Sequence, residues 1–166
     1  MKRVILDTNI YGRIIERKEE EEMKLKIQSR HDVVIYGLDV VRKELRATSQ
    51  RVHVGKKKLR LLLLGLYDRL VRNHSLYTTT LTEKLAERYF TVYRQLGGKA
   101  SQQEIIDDFL IVACASVHEL DIVVSDDNDT MLSKEAVTAY AVVNKLNEYR
   151  LPNFIGYDAF GRLLAS

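Results

Sequence analysis

Two short apolar runs in this chain end in carboxylates. "RVILD" closes on Asp7, and "DIVVSDDND" passes from Ile122–Val124 into Ser125, Asp126, Asp127 and Asp129. Unbroken apolar runs of this length read as strands covered on both faces, as in a parallel sheet. Bare carboxylates at strand ends repel one another. At an effective dielectric of about 20, two of them about 4 Å apart cost on the order of 4 kcal/mol, more than the roughly 1 kcal/mol returned by a capping residue. Something must compensate.

Helical patterns separate the strand-like runs. After "RVILD", Asn9 is placed to cap a helix through "IYGRIIER". "RKEEEEMKLKIQ" sets Glu20 and Glu22 four residues before Lys24 and Lys26, an exposed ion-paired helix. "DVVIYG" is a second strand, and "LDVVRKELRA" puts Glu44 on the helix that follows it. From Lys56 to Val71, Leu59, Leu62, Leu63, Leu66 and Leu70 make one helical stripe, with Leu61 and Leu64 as apolar surface outside it. "SLYTT" is a short third strand, followed by a helix stopped at Gly97 and Gly98. Ser101 and Glu104 form a capping box ahead of "IIDDFLIVACASVHEL". "DIVVS", a helix from about 134 to 149, the strand "PNFIGY" and a closing helix complete the chain. Alternating strands and helices with continuous apolar strands predict an α/β fold with a parallel sheet.

With 166 residues, 46% hydrophobic and 30% charged, the chain is long enough for one sizeable core, and a single domain over residues 1–166 is expected. It contains a basic, leucine-rich helical segment at about 47–100. The only cysteine, Cys114, lies in an apolar run, which predicts a buried, inert thiol and fits a reducing cytoplasm. The N-terminal apolar run is too short for a signal peptide, and "LRLLLLGLYDRLV" is interrupted by charge and too short to span a bilayer. No membrane association is expected. Net charge is +3, yet Arg42 to His74 holds ten Lys/Arg against Glu44 and Asp68, or +8, leaving −5 elsewhere. Basic residues beside acidic clusters point to an anionic partner steered toward an acidic centre.

Binding crevices in parallel sheets open beyond the carboxyl ends of the strands. Asp7 and Asp127 sit at two such ends. Asp108 begins an apolar helical stripe with Ile111, Val112 and Ala115, where a lone carboxylate is costly to bury. Asp107 points about 100° away and is the weaker candidate. With Glu44, these acids suit a hard divalent cation, Mg²⁺ or Mn²⁺, which takes carboxylate oxygens and turns repulsion into affinity. Taken singly, each acid is more often structural, and Asn9, Ser125 and one of the aspartates could merely cap helices; the set carries the argument. Other motifs fail on spacing: an EF-hand starting at Asp126 needs glycine at Met131 and glutamate at Val137, the four histidines form no H-E-x-x-H, and no phosphate-binding glycine loop occurs.

The stretches "VILDTNIYG", "GLDVVRKELR", "DDFLIVACASVHELDIVVSDDND" and "PNFIGYDAF" together resemble the PIN-domain nucleases, whose best-populated branch is the VapC-type ribonuclease toxins. Residues from about 47 to 103 are unmatched in detail. The resemblance implies a three-layer α/β/α PIN-like domain with a mainly parallel central sheet. By position it implies catalytic acids Asp7, Glu44, Asp108 and Asp127, a metal set of Asp7, Asp108, Asp127 and auxiliary Asp129, and the strand-end hydroxyl at Ser125. Thr130 stands where the family more often has an aromatic, and the adjacent Asp126 leaves the register open by one.

The activity so implied is metal-dependent hydrolysis of RNA to a 5′-phosphate and a 3′-hydroxyl, by a toxin with an antitoxin partner. Lys56, Lys57, Lys58 and Arg60 are expected to bind substrate phosphates. The excess leucine surface predicts a homodimer. Two other classes compete. A haloacid dehalogenase-type phosphatase needs an acid two residues after its nucleophile, where this chain has Asn9. A non-catalytic binding module of the same fold would act through the apolar helix and basic face.

Overall fold

The computed structural model describes residues 1–166. In chain order the elements are β1 (Lys2–Leu6), α1 (Thr8–Glu16), α2 (Glu20–Ser29), β2 (Val33–Leu38), α3 (Asp39–Arg46), β3 (His53–Val54), β4 (Lys57–Lys58), α4 (Leu59–Val71), β5 (Ser75–Leu76), α5 (Thr80–Gln95), α6 (Gln102–Val117), β6 (Ile122–Val124), α7 (Lys134–Leu146), β7 (Asn153–Ile155) and α8 (Tyr157–Ala165).

Five strands form one sheet in the order β5-β2-β1-β6-β7, with every pairing parallel. From β1 the chain winds outward through β2 to β5, then returns to β6 on the other side of β1 and continues to β7. The winding therefore reverses between β1 and β6, and a crevice opens at the carboxyl ends of those two strands. The pairing carries past the strands: the Asp7 N–H donates to the Val124 carbonyl at 2.9 Å, and Ser125 N–H to Ile155 at 3.0 Å.

Helices cover both faces of the sheet, making the three layers α/β/α. Helices α1, α2 and α4 pack among themselves, and α5 packs against both α6 and α7. The continuous apolar strands are buried as expected, with Val4, Ile5, Leu6, Val123 and Val124 fully inaccessible within one cluster of 42 buried residues. Tyr89, Phe109 and Tyr140 meet edge-on in that cluster with ring centroids 5.0–6.2 Å apart. Ser101 and Glu104 make the capping box of α6. Helix α5 stops where Gly97 takes φ +93° and lets Gly98 N–H return to the Tyr93 carbonyl.

Three local details differ from the sequence reading. Asp7, not Asn9, caps α1, because the chain turns into the helix immediately after β1. The leucine-rich helix begins at Leu59, and Lys57–Lys58 instead pairs with His53–Val54 in a small antiparallel hairpin turned at Gly55, φ +62°. On α2, Lys26 pairs with Glu22, while Lys24 reaches Glu21 rather than Glu20. Cys114 is buried as expected, and burial pushes its thiol up to about 12. No helix is long and apolar enough to cross a membrane.

Candidate active site

Asp7 follows β1 directly and is 4% exposed. Its Oδ1 accepts from the Thr8 N–H at 2.7 Å and its Oδ2 from the Ser125 hydroxyl at 2.7 Å. Burial raises its carboxyl from 3.8 to about 6, against the opposing hydrogen bonds, with Glu44 and Asp127 adding to the rise. Ser125, at the end of β6, also accepts the Asp127 N–H at 3.1 Å and the Asn9 amide at 3.5 Å. One hydroxyl thus ties the ends of β1, α1 and β6 together.

Asp108 lies in the second turn of α6, where the helical stripe through Ile111, Val112 and Ala115 is fully buried. Asp107 is exposed on another face, as its 100° offset requires. Burial raises the Asp108 carboxyl to about 7, with Asp7, Asp127 and Glu44 as further causes and the Thr130 hydrogen bond opposing. Asp127 sits in the turn after β6, and its Oδ1 accepts from the N–H groups of Thr130 at 3.0 Å and Asp129 at 3.1 Å. Glu44, exposed on α3, accepts from the Thr8 hydroxyl.

Thr8 and Thr130 also belong to the site: the sequence reading passed over Thr8 and met Thr130 only as a departure from the family pattern. The Thr130 hydroxyl contacts Asp108 Oδ2 at 2.6 Å and also Asp127 Oδ2. It carries one hydrogen and can donate to only one of them. The other contact is a hydrogen bond only if a carboxyl supplies the proton, and the raised Asp108 is the one suited to do so. Thr8, in the "DTN" turn, links Asp7 to Glu44 through its N–H and hydroxyl.

The adjacent aspartates separate cleanly. Asp126 turns away from the other acids: its Oδ1 accepts the Tyr157 N–H at the start of α8 at 2.9 Å, and its Oδ2 lies 3.5 Å from Arg13. A Cβ on Gly156 would come within 2.8 Å of that Oδ1, so the approach needs glycine. Asn9 accepts the Asp126 N–H at 3.4 Å through its side-chain carbonyl. Asp129 is exposed and lines an adjoining cavity of about 210 Å³ with Tyr93, Gly97, Gly98 and Lys99.

Asp7, Glu44, Asp108, Asp127 and Asp129 form no ion pair with any lysine, arginine or histidine, whereas Asp126 does. No three acidic, histidine or cysteine side chains stand in a ready-made coordination shell. The four acids Asp7, Glu44, Asp108 and Asp127 are instead within electrostatic reach of one another, held by the Thr8, Ser125 and Thr130 hydroxyls. An all-oxygen donor set, desolvated at Asp7 and Asp108 and without a cationic side chain, fits a hard divalent ion. Lys56, Lys57 and Lys58 are exposed on the hairpin, and Arg60 is half-buried in the first turn of α4.

The family model for the PIN domain matches residues 4–135, a span that contains all of these acids. The chain belongs to the PIN domain family. It is thereby assigned to a family of nucleases. No curated protein matches the sequence. Among solved structures, this PIN domain is similar to VapBC2 from Rickettsia felis bound to a DNA fragment from their promoter. The TM-score is 0.59 at 13% identity, over 93% of this chain and 98% of that one. The FitAB complex bound to the IR36 DNA fragment matches with TM-score 0.58 at 15% identity, over 93% and 94% of the two chains. FitAcB from Neisseria gonorrhoeae gives 0.56 at 18%, over 81% and 93%. At these identities the likeness is one of fold.

Proposed function

We propose that this PIN domain, acting as one unit over residues 1–166, is a Mg²⁺- or Mn²⁺-dependent endoribonuclease and the toxin of a toxin-antitoxin pair. The observation that carries the reading is the meeting of Asp7, Glu44, Asp108 and Asp127 from four separate elements at the sheet's switch point, none with a cationic partner. A protein holding buried carboxyls at about 6 and 7 without neutralising them is poised to exchange protons for a cation.

Asp7, Asp108 and Asp127 would hold the ion, with Asp129 as an auxiliary. When bound, it supplies water activation and neutralises charge on the leaving oxygen of the phosphodiester. The protein's own contribution is orientation. Ser125 and the Thr8 N–H fix both oxygens of Asp7, while backbone N–H groups fix one oxygen of Asp127, so these carboxylates point without paying to reorganise. Glu44, exposed at the mouth and steadied by Thr8, is placed to orient the attacking water. Asn9, Ser125 and Asp126 serve the frame. The cations Lys56, Lys57, Lys58 and Arg60 would draw in substrate phosphates.

An antitoxin protein is the proposed partner, supported by the fold shared with VapBC2 and FitAB. A second copy of the chain rests on the sequence reading alone: of the two leucines outside the stripe of α4, Leu61 is 63% exposed while Leu64 packs partly against the core. Incubating mixed RNA with Mg²⁺ or Mn²⁺, with and without EDTA, tests the activity. Cleavage to 5′-phosphate ends, lost in EDTA and in Asp7→Asn, is expected; cleavage that persists in both would remove the proposal.

A further inference from the structure

Two cavities on the outer side of Glu44 share one cation. The first, about 260 Å³, opens at the carboxyl ends of β2 and β5, and Lys43, Arg46 and Tyr77 are among its lining residues. The second, about 280 Å³, has Arg46, Lys58, Arg60 and Leu61 in its wall. Arg46 is the last residue of α3 and lies about 200° around that helix from Glu44. Helix α3 therefore carries an acid bonded to Thr8 on one side and a cation between two cavities on the other.

Cations outnumber acids here: Lys43, Arg46, Lys58 and Arg60 face one lining carboxylate, Asp39. Asp39 is occupied by the N–H and hydroxyl of Thr78 at 3.0 and 2.7 Å, and Asp68 by Arg42 through two bonds of 3.1 Å. Lys43, Arg46, Lys58 and Arg60 have no ion pair. At the far rim, just beyond the edge strand β5, Tyr77 is 66% exposed. A large aromatic ring left in water beside unpaired cations is the combination that grips an unpaired base and its phosphates. A duplex hides its base faces in its own stack and leaves such a ring unused. An acidic peptide would use the cations and ignore the ring.

We propose that these two cavities form a track for single-stranded RNA beside the acid cluster, with Tyr77 stacking a base and Arg46 holding the phosphate between the two cavities. This deepens the nuclease reading and rests on it. It extends the substrate-binding set beyond the lysine hairpin: of the four cations expected from sequence, Lys58 and Arg60 line the track, and Lys43, Arg46 and Tyr77 join them.

The test measures binding in the Asp7→Asn background, full-length and in EDTA, by fluorescence anisotropy. The probes are an unstructured RNA of about ten nucleotides and a duplex of the same length. Tyr77→Ala should weaken single-strand binding about 5- to 10-fold without changing its salt dependence, and Tyr77→Phe should restore it. Arg46→Ala should weaken binding and flatten the slope of log K against log salt by about 0.7. Polyglutamate should compete poorly with the single strand. Unchanged binding by Tyr77→Ala, equal affinity for the duplex, or displacement by polyglutamate at equal charge would each overturn the track. Cleavage by the unmutated protein, measured alongside, separates the two claims. Cleavage with an indifferent Tyr77 sinks the track alone, and the predicted binding pattern without cleavage sinks the nuclease reading alone.

Discussion

The Thr130 hydroxyl stands between Asp108 and Asp127, 2.6 Å from the Asp108 oxygen, and its single hydrogen cannot serve both carboxylates. Asp108 comes from α6 and Asp127 from the turn after β6, so this contact fixes how far apart two elements hold their charges. Thr130→Val removes the link with little change of volume. Outer-shell partners of this kind typically cost 10–100-fold in metal affinity or activity. RNA cleavage should fall by about that factor in Thr130→Val and recover in Thr130→Ser.

Asp126→Ala distinguishes the two adjacent aspartates. It removes the cap of α8 and the contact with Arg13, and should destabilise folding by about 1–2 kcal/mol. Cleavage per folded molecule should be retained. Asp127→Ala should do the reverse, losing cleavage by more than about 100-fold. Chemical denaturation beside a cleavage assay reads both.

Stability without divalent ions should depend on pH with a definite sign. Asp7 and Asp108 have folded values of about 6 and 7 against 3.8 when unperturbed. Between about pH 4 and 7 the folded state therefore binds more protons than the unfolded one. Stability is then lost as pH rises through that window, and levels off above it. At about 1.4 kcal/mol for each tenfold change in proton affinity, the rise at Asp7 is worth at most about 3 kcal/mol and that at Asp108 at most about 4. Thermal melts in EDTA should give a lower Tm at pH 8 than at pH 5, and Asp108→Asn should flatten the difference. A Tm that climbs across this range would show that the carboxyls are ionised and otherwise compensated.

Much of this was legible in the chain. Acids at the ends of apolar runs and at the head of an apolar helix are anomalous locally, so Asp7, Asp108 and the Asp126–Asp127 pair stand out as candidates. Glu44 could be placed because a strand precedes its helix. The choice between Asp126 and Asp127 was not legible, since it depends on Arg13 and on the start of α8, distant in sequence. Thr130 was visible only as a departure from the family pattern. Its role needs α6 and the β6 turn to be adjacent, which no local pattern encodes. The β3–β4 hairpin escaped because two-residue strands have no periodicity to read, and its lysines extended the leucine pattern of α4 backward.

The central claim is that a divalent ion replaces protons on the clustered acids, and calorimetric titration of Mn²⁺ at pH 6.5 in two buffers of different ionisation enthalpy tests it most directly. The account predicts saturable binding with proton release, a Tm rise of roughly 5–10 °C at about 100-fold excess over Kd, and loss of both in Asp7→Asn. Binding of equal strength by Asp7→Asn, or binding with no proton released, would contradict it.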